Sequence, residues 1–99
     1  MAFIYHITTR PEWETAQGNG FYETPSLALE GFIHCSQEHQ VAGVLERYYA
    51  DKTALLKLVI DCDKLHHRLQ HDFSPKMNEA FPHIYGRINL DAITEVIEL

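Results

Sequence analysis

Three short apolar segments each carry a histidine: Ile4-Tyr5-His6-Ile7, Phe32-Ile33-His34-Cys35-Ser36 and Phe81-Pro82-His83-Ile84-Tyr85. An imidazole set among Phe, Ile and Tyr needs a hydrogen-bond partner or a chemical task, because an unpaired polar ring is costly there. Its proton also exchanges near neutral pH, so proton transfer, ligand recognition and metal ligation are all open to it. His6, His34 and His83 are therefore the first site candidates, with Ser36 and Tyr85 beside them. The plain alternative is three packed rings whose nitrogens are satisfied by backbone carbonyls. Three imidazoles can hold a zinc ion, but no His-x-x-x-His links these three, and no metal is expected. His67 and His71 do stand four apart, in a stretch ambiguous between helix and strand. Asp72 and Glu79 flank the segment before the third histidine and are the acids considered for the site. The chain has no Gly-x-Ser-x-Gly, no GxGxxG and no GxxxxGK[ST], so nucleophile-elbow and phosphate-loop chemistry have no local signature.

These side chains must be placed by secondary structure. Phe3 to Thr8 reads as a strand. Thr9, Pro11 and Glu12 then start a helix, with Thr9 as cap and Glu12 at the capping-box position. Trp13 and Ala16 face inward, and Gly18 and Gly20 end the helix. Phe21 to Thr24 is a short extended piece and Pro25 to Leu29 a turn or single helical turn. Gly31 to Cys35 is the second strand. Alternation puts Phe32, His34 and Ser36 on one face and Ile33 with Cys35 on the other, which separates His34 from the thiol. Ser36 is expected to cap the next helix, whose free N–H groups would suit a phosphate or carboxylate. Val41, Val44, Leu45 and Tyr48 form the apolar stripe of that helix. Ala54 to Asp61 is the central strand, apolar enough to be covered on both faces. Phe73 to Ala80 reads as a loop. Ile84 to Ile88 is extended, and Ile93 to Leu99 is a final strand. Pro82 and Gly86 frame His83 and Tyr85 as a rigid presenter, Gly86 permitting a close approach or a positive φ.

With 99 residues and a 45% hydrophobic share, the chain is expected to form one α+β domain over residues 1–99. A formal charge of −6 opposes nonspecific binding to a nucleic-acid backbone but leaves room for one nucleotide or an RNA end. Cys35 and Cys62 form no Cys-x-x-Cys and are read as reduced thiols. No signal peptide or membrane-spanning run is present in the sequence, and a cytoplasmic location is the default expectation. The sequence does not indicate an oligomeric state.

The Ile-Tyr-His-Ile start, Trp13, the Gly-Phe-Ile-His-Cys-Ser run of residues 31–36 and the Phe-Pro-His-Ile-Tyr-Gly run of residues 81–86 resemble the domain of unknown function 952 family. The resemblance spans about Phe3 to Val96. That family is similar in fold to ADP-ribosyltransferases and RNA 2′-phosphotransferases. The resemblance thus implies two small, mostly antiparallel sheets with two to three helices around a cleft for NAD or an ADP-ribose-like ligand. It implies that His6 contacts a ribose or adenine group, that His34 and Ser36 contact the nicotinamide-ribose side, and that His83 and Tyr85 close the far wall. It places His34, Asp72 and His83 in catalytic roles, with His6, Ser36 and Tyr85 in binding. Family members commonly carry Trp-Glu or Tyr-Glu where this chain has His71-Asp72. In transferases of this fold a late glutamate binds a ribose hydroxyl and stabilises an oxocarbenium-like transition state, and Asp72 is one methylene shorter. The implied activity is transfer or cleavage at the N-glycosidic carbon of NAD, or a related nucleotide reaction. The implied partners are a small nucleotide and an RNA end or protein acceptor. The alternative is a non-catalytic module that keeps the cleft and recognises a nucleotide or a modified partner.

Overall fold

The computed structural model describes residues 2–99. Strand β1, Phe3–Thr9, pairs antiparallel with β4, Leu55–Asp61, and β4 pairs on its other side with β8, Ile93–Glu98. As its composition requires, β4 is the middle strand, and apart from Lys57 all of its residues are buried. Between them, helix α1, Arg10–Asn19, starts where Thr9 Oγ1 accepts from the Glu12 N–H and donates to Glu12 Oε1. It ends at Gly20, whose φ of 86° only glycine adopts without strain. Strand β2, Phe21–Tyr22, follows, then α2, Pro25–Glu30, then β3, Ile33–His34. A short 3-10 turn over Glu38–Gln40 leads into α3, Val41–Tyr48. Strands β5, Leu69–Ser74, and β6, Glu79–Ile84, make a hairpin, and β7, Ile88–Asn89, pairs back to β2.

Among the described residues the architecture is α+β with three α-helices and three small antiparallel sheets, ordered β1-β4-β8, β2-β7 and β3-β6-β5. The expectation of two sheets missed the two-residue β2–β7 ladder, which is too short to leave an alternating pattern. Ser36 does not cap a helix. Its N–H and C=O are both bonded to Tyr5, at 2.7 and 2.9 Å, which joins the first sheet to the end of β3. A residue whose C=O is taken by Tyr5 cannot accept the first bond of a helix, and Gln37 takes the N-cap position of the following turn instead. The expected loop over 73–80 shrinks to Pro75–Asn78, because Phe73 and Ser74 pair with Ala80 and Glu79. Ile84 and Ile88 belong to separate strands, with a bend between them.

Alternation along β1 splits its side chains between two cores. Ile4, opposite Ile60 on β4, joins Leu58, Ile33, Ile84, Tyr22, Ile88 and Ala92. Ile7 and Leu55 pack on the other face against Val41, Val44 and Leu45 of α3. Tyr48, the last residue of the α3 stripe, is exposed because the helix ends there. Leu58 is fully enclosed. Leu58→Ala is expected to cost about 2–5 kcal/mol in urea unfolding; a cost below about 1 kcal/mol would show that the core closes over the gap without loss.

Candidate functional site

The β3-β6-β5 sheet positions most of the candidate residues. Ile33 pairs with Ile84 and His34 with His83. Alternation sends the two isoleucines into the core and the two histidines to the outer face. The His34 and His83 rings meet edge to face at 5.1 Å, and Phe32, on the same face, stacks on His83 at 4.1 Å. Tyr85 adds a fourth ring, 5.4 Å from Phe32. Gly86 closes this corner by close approach: a Cβ there would lie 2.3 Å from His67 Cγ.

Each histidine is braced by a carboxylate. His83 Nδ1 lies 2.6 Å from Asp72 Oδ2, and His34 Nε2 lies 2.8 Å from Glu30 Oε2. A carboxylate only accepts, so the proton sits on the braced nitrogen, and the other nitrogen of a neutral ring becomes an acceptor. No described residue bonds to His83 Nε2 or to His34 Nδ1. Asp72 also accepts from the Tyr85 hydroxyl on Oδ2 and from Gln70 Nε2 on Oδ1, both at 2.5 Å. The hydrogen bonds from Tyr85, Gln70 and His83, in that order of size, bring the Asp72 carboxyl down to about 2. The same carboxylate holds the Tyr85 phenol above its ordinary range. Both Asp72 oxygens thus accept hydrogen bonds, and this acid braces His83.

A pocket of about 630 Å³ opens between this sheet, β1 and α3. His6, His34, Ser36 and His83 all line it, together with Ile7, Val44, Tyr48, Tyr49, Phe73, Met77 and Phe81. Four of the six candidates thus share one cavity. Asp72 and Tyr85 do not line it: Asp72 is linked to it by its bond to His83, and Tyr85 by its bond to Asp72. No Asp, Glu, Lys or Arg lies among the described lining residues.

His6 is placed differently from the other two histidines. It is 8% exposed, its Nδ1–H donates to the His34 carbonyl at 2.6 Å, and its Nε2 lies 2.8 Å from the Tyr22 hydroxyl. That hydroxyl is in turn 2.9 Å from Thr8 Oγ1. Burial lowers His6 to about 4, against the opposing pull of the His34 carbonyl, and the neutral ring has both nitrogens engaged. His6 therefore borders the pocket as a strut. Cys35 lies in the core, where burial raises its thiol pKa, and Cys62 is also free. His71 is on a strand, so it shares no helix face with His67. Among the described residues, no three His, Cys, Asp or Glu side chains gather as metal ligands, and no helix is long and apolar enough to cross a membrane.

The sequence reading missed Tyr22, Glu30 and the α3 wall of the pocket, whereas alternation along the first strand already puts Thr8 on the face of His6. Only Glu30 left a signal, four residues before His34.

The model of the family described as protein of unknown function (DUF952) matches residues 7–96. The chain belongs to this family. The DUF952 chain is also similar to protein CC0527 from Caulobacter crescentus. Its X-ray structure shares 26% identity, with a TM-score of 0.89 over 99% of this chain and 86% of that one. Its solution NMR structure gives 27% identity and a TM-score of 0.84 over 100% and 85%. No curated protein matches the chain.

Two measurements test this geometry. His6 is neutral in the fold down to about pH 4, whereas in the unfolded chain it protonates near 6.5. Stability is therefore full above about pH 6.5 and falls on acidification towards 4, by about 3 kcal/mol. The depressed Asp72 adds a later loss, between 3.8 and about 2. Unfolding free energies that stay flat from pH 6.5 to 4 would remove His6 from the core network. Separately, ¹⁵N shifts of the His83 ring should report the Nδ1–H tautomer in the native chain and a move towards Nε2–H in Asp72→Ala, which removes the acceptor. An unchanged tautomer in the variant rules out Asp72 as the brace.

Proposed function

We propose that this DUF952 domain binds a small nucleotide-type ligand, with a planar base or nicotinamide ring seated in the pocket. The observation that carries this reading is the pocket wall: Tyr48, Tyr49, Phe73 and Phe81 supply aromatic surface, while Ser36 and the histidines supply polar atoms, with no charged side chain among them. A mostly apolar cavity with a few convergent hydrogen-bonding groups is what a flat heterocycle needs. The resemblance to ADP-ribosyltransferase-like folds adds NAD and ADP-ribose to the candidate ligands, and an RNA end to the candidate partners. On this reading His34, His83 and Ser36 hydrogen-bond the ring or its ribose, and Tyr85 supports Phe32 from behind.

A second, catalytic reading is favoured by the Asp72–His83 hydrogen bond, which is the arrangement of an oriented general base. It corresponds to cleavage or transfer at the N-glycosidic carbon of NAD, with Asp72 acting through His83. The binding reading is preferred because Asp72 is not among the residues that line the pocket and so does not meet a sugar seated there directly.

Thermal denaturation with NAD, ADP-ribose, nicotinamide, AMP and a 2′-phosphorylated oligonucleotide tests the binding. A true ligand at a hundred times its Kd adds about 2.7 kcal/mol of stability, and Phe73→Ala, at an exposed wall position, should weaken it. No shift with any of these compounds overturns the proposal. Nicotinamide release from NAD, followed by chromatography, decides between the two readings.

A further inference from the structure

The outer face of the β3-β6-β5 sheet carries more than a pocket wall. Phe32 stacks on His83 there, the His34 ring meets both edge to face, and Tyr85 tilts against Phe32. Arg68, whose carbonyl accepts from the Tyr85 N–H, lays its guanidinium 4.5 Å over the Tyr85 ring. Arg68 makes no ion pair among the described residues, although the chain as a whole is acidic. Phe32 and Tyr85 are half-exposed, each with one ring face covered by a neighbour, and a face that carries such a cluster beside one unpaired guanidinium is suited to stacking an unpaired base and holding its phosphate. At its centre stand two imidazoles 5.1 Å apart, each fixed by its own carboxylate and each keeping one nitrogen free for proton transfer.

We propose that this face takes a short single-stranded RNA and that His83 and His34 cleave its phosphodiester bond as a base and acid pair. The proposal rests on the nucleotide reading for its ligand class and adds a reaction to it. His83 Nε2 takes the proton of a ribose 2′-hydroxyl while its Nδ1–H stays on Asp72. The 2′-oxygen forms a bond to the adjacent phosphorus, and the bond from phosphorus to the 5′-oxygen of the next nucleotide breaks. Protonated His34, still held by Glu30 through Nε2–H, gives its Nδ1 proton to that leaving oxygen. The products are a 2′,3′-cyclic phosphate and a 5′-hydroxyl, and no other reactant is consumed. Arg68 holds a phosphate of the strand. The overall negative charge limits the footprint to a few nucleotides, since the chain has no long basic track for an extended backbone.

The test uses a short DNA oligonucleotide containing a single ribonucleotide, beside an all-deoxy control, with products read by mass spectrometry. Cleavage is expected only on the 3′ side of the ribonucleotide, leaving a cyclic phosphate. His83→Gln and His34→Gln should each lower the rate at least about 100-fold. Arg68→Ala should raise KM and leave kcat nearly unchanged. If His83→Gln fails to fold, His34→Gln, at a half-exposed ring, carries the test alone. Native protein that gains thermal stability from a mononucleotide yet leaves the ribonucleotide linkage intact overturns this proposal and spares the binding reading. Failure of both overturns both. Cleavage that survives His34→Gln at full rate also overturns it.

Discussion

The imidazole of His6 touches all three sheets. Its backbone belongs to β1, one ring nitrogen holds the carbonyl of His34 on β3, and the other meets the hydroxyl of Tyr22 on β2. Small sheets bury little surface each, and two-residue strands have almost no cooperative pairing of their own. A buried polar group that is fully satisfied fixes one arrangement of its neighbours, since each alternative leaves a donor or acceptor unpaired in a medium without water. Tyr5, the neighbour of His6, adds two backbone bonds to Ser36 from the same strand. The relative placement of the sheets, and with it the pocket between them, depends on this short stretch of β1.

The three histidines then divide by environment. His6 is enclosed and neutral, His83 is largely covered and braced by Asp72, and His34 stands half in solvent against Glu30. One residue type thus serves as a strut in one place and as an oriented donor or acceptor in two others. Membership in the DUF952 family and the likeness to CC0527 extend this fold to a relative at about a quarter identity, but they carry no activity with them.

Period and local signals made much of this legible. The Thr9 cap, the buried β4 and the separation of His34 from Cys35 follow from side-chain alternation and capping chemistry, which act within a few residues. Ser36 illustrates the limit. Its preference for a helix cap is a local propensity, and it lost to two hydrogen bonds from Tyr5, a partner far away in sequence. The hairpin strands at Phe73, Ser74, Glu79 and Ala80 were hidden for a similar reason: Pro75 and Asn78 dominate the local pattern, while cross-strand pairing sets the true ends. The pocket itself was legible as three histidine segments. The α3 wall was not, because Tyr48 and Val44 read as an ordinary apolar stripe until the helix is docked.

The peptide that presents the His34 ring ends, at its carbonyl, on a hydrogen bond to His6 in the core. That side of the cavity cannot move outward without opening the interior. The β5–β6 hairpin, where Met77 borders the cavity, is held as well: buried Gln40 donates from Nε2 to the Ala80 carbonyl at 2.8 Å, His39 Nε2 lies 2.6 Å from Glu79 Oε1, and Arg47 meets Met77. The cavity is therefore anchored on both sides, to the core through His6 and to the turn before α3 through Gln40. The paired imidazoles thus stand on a frame fixed at both of its ends, and their spacing is set by the scaffold and not by what enters the cavity.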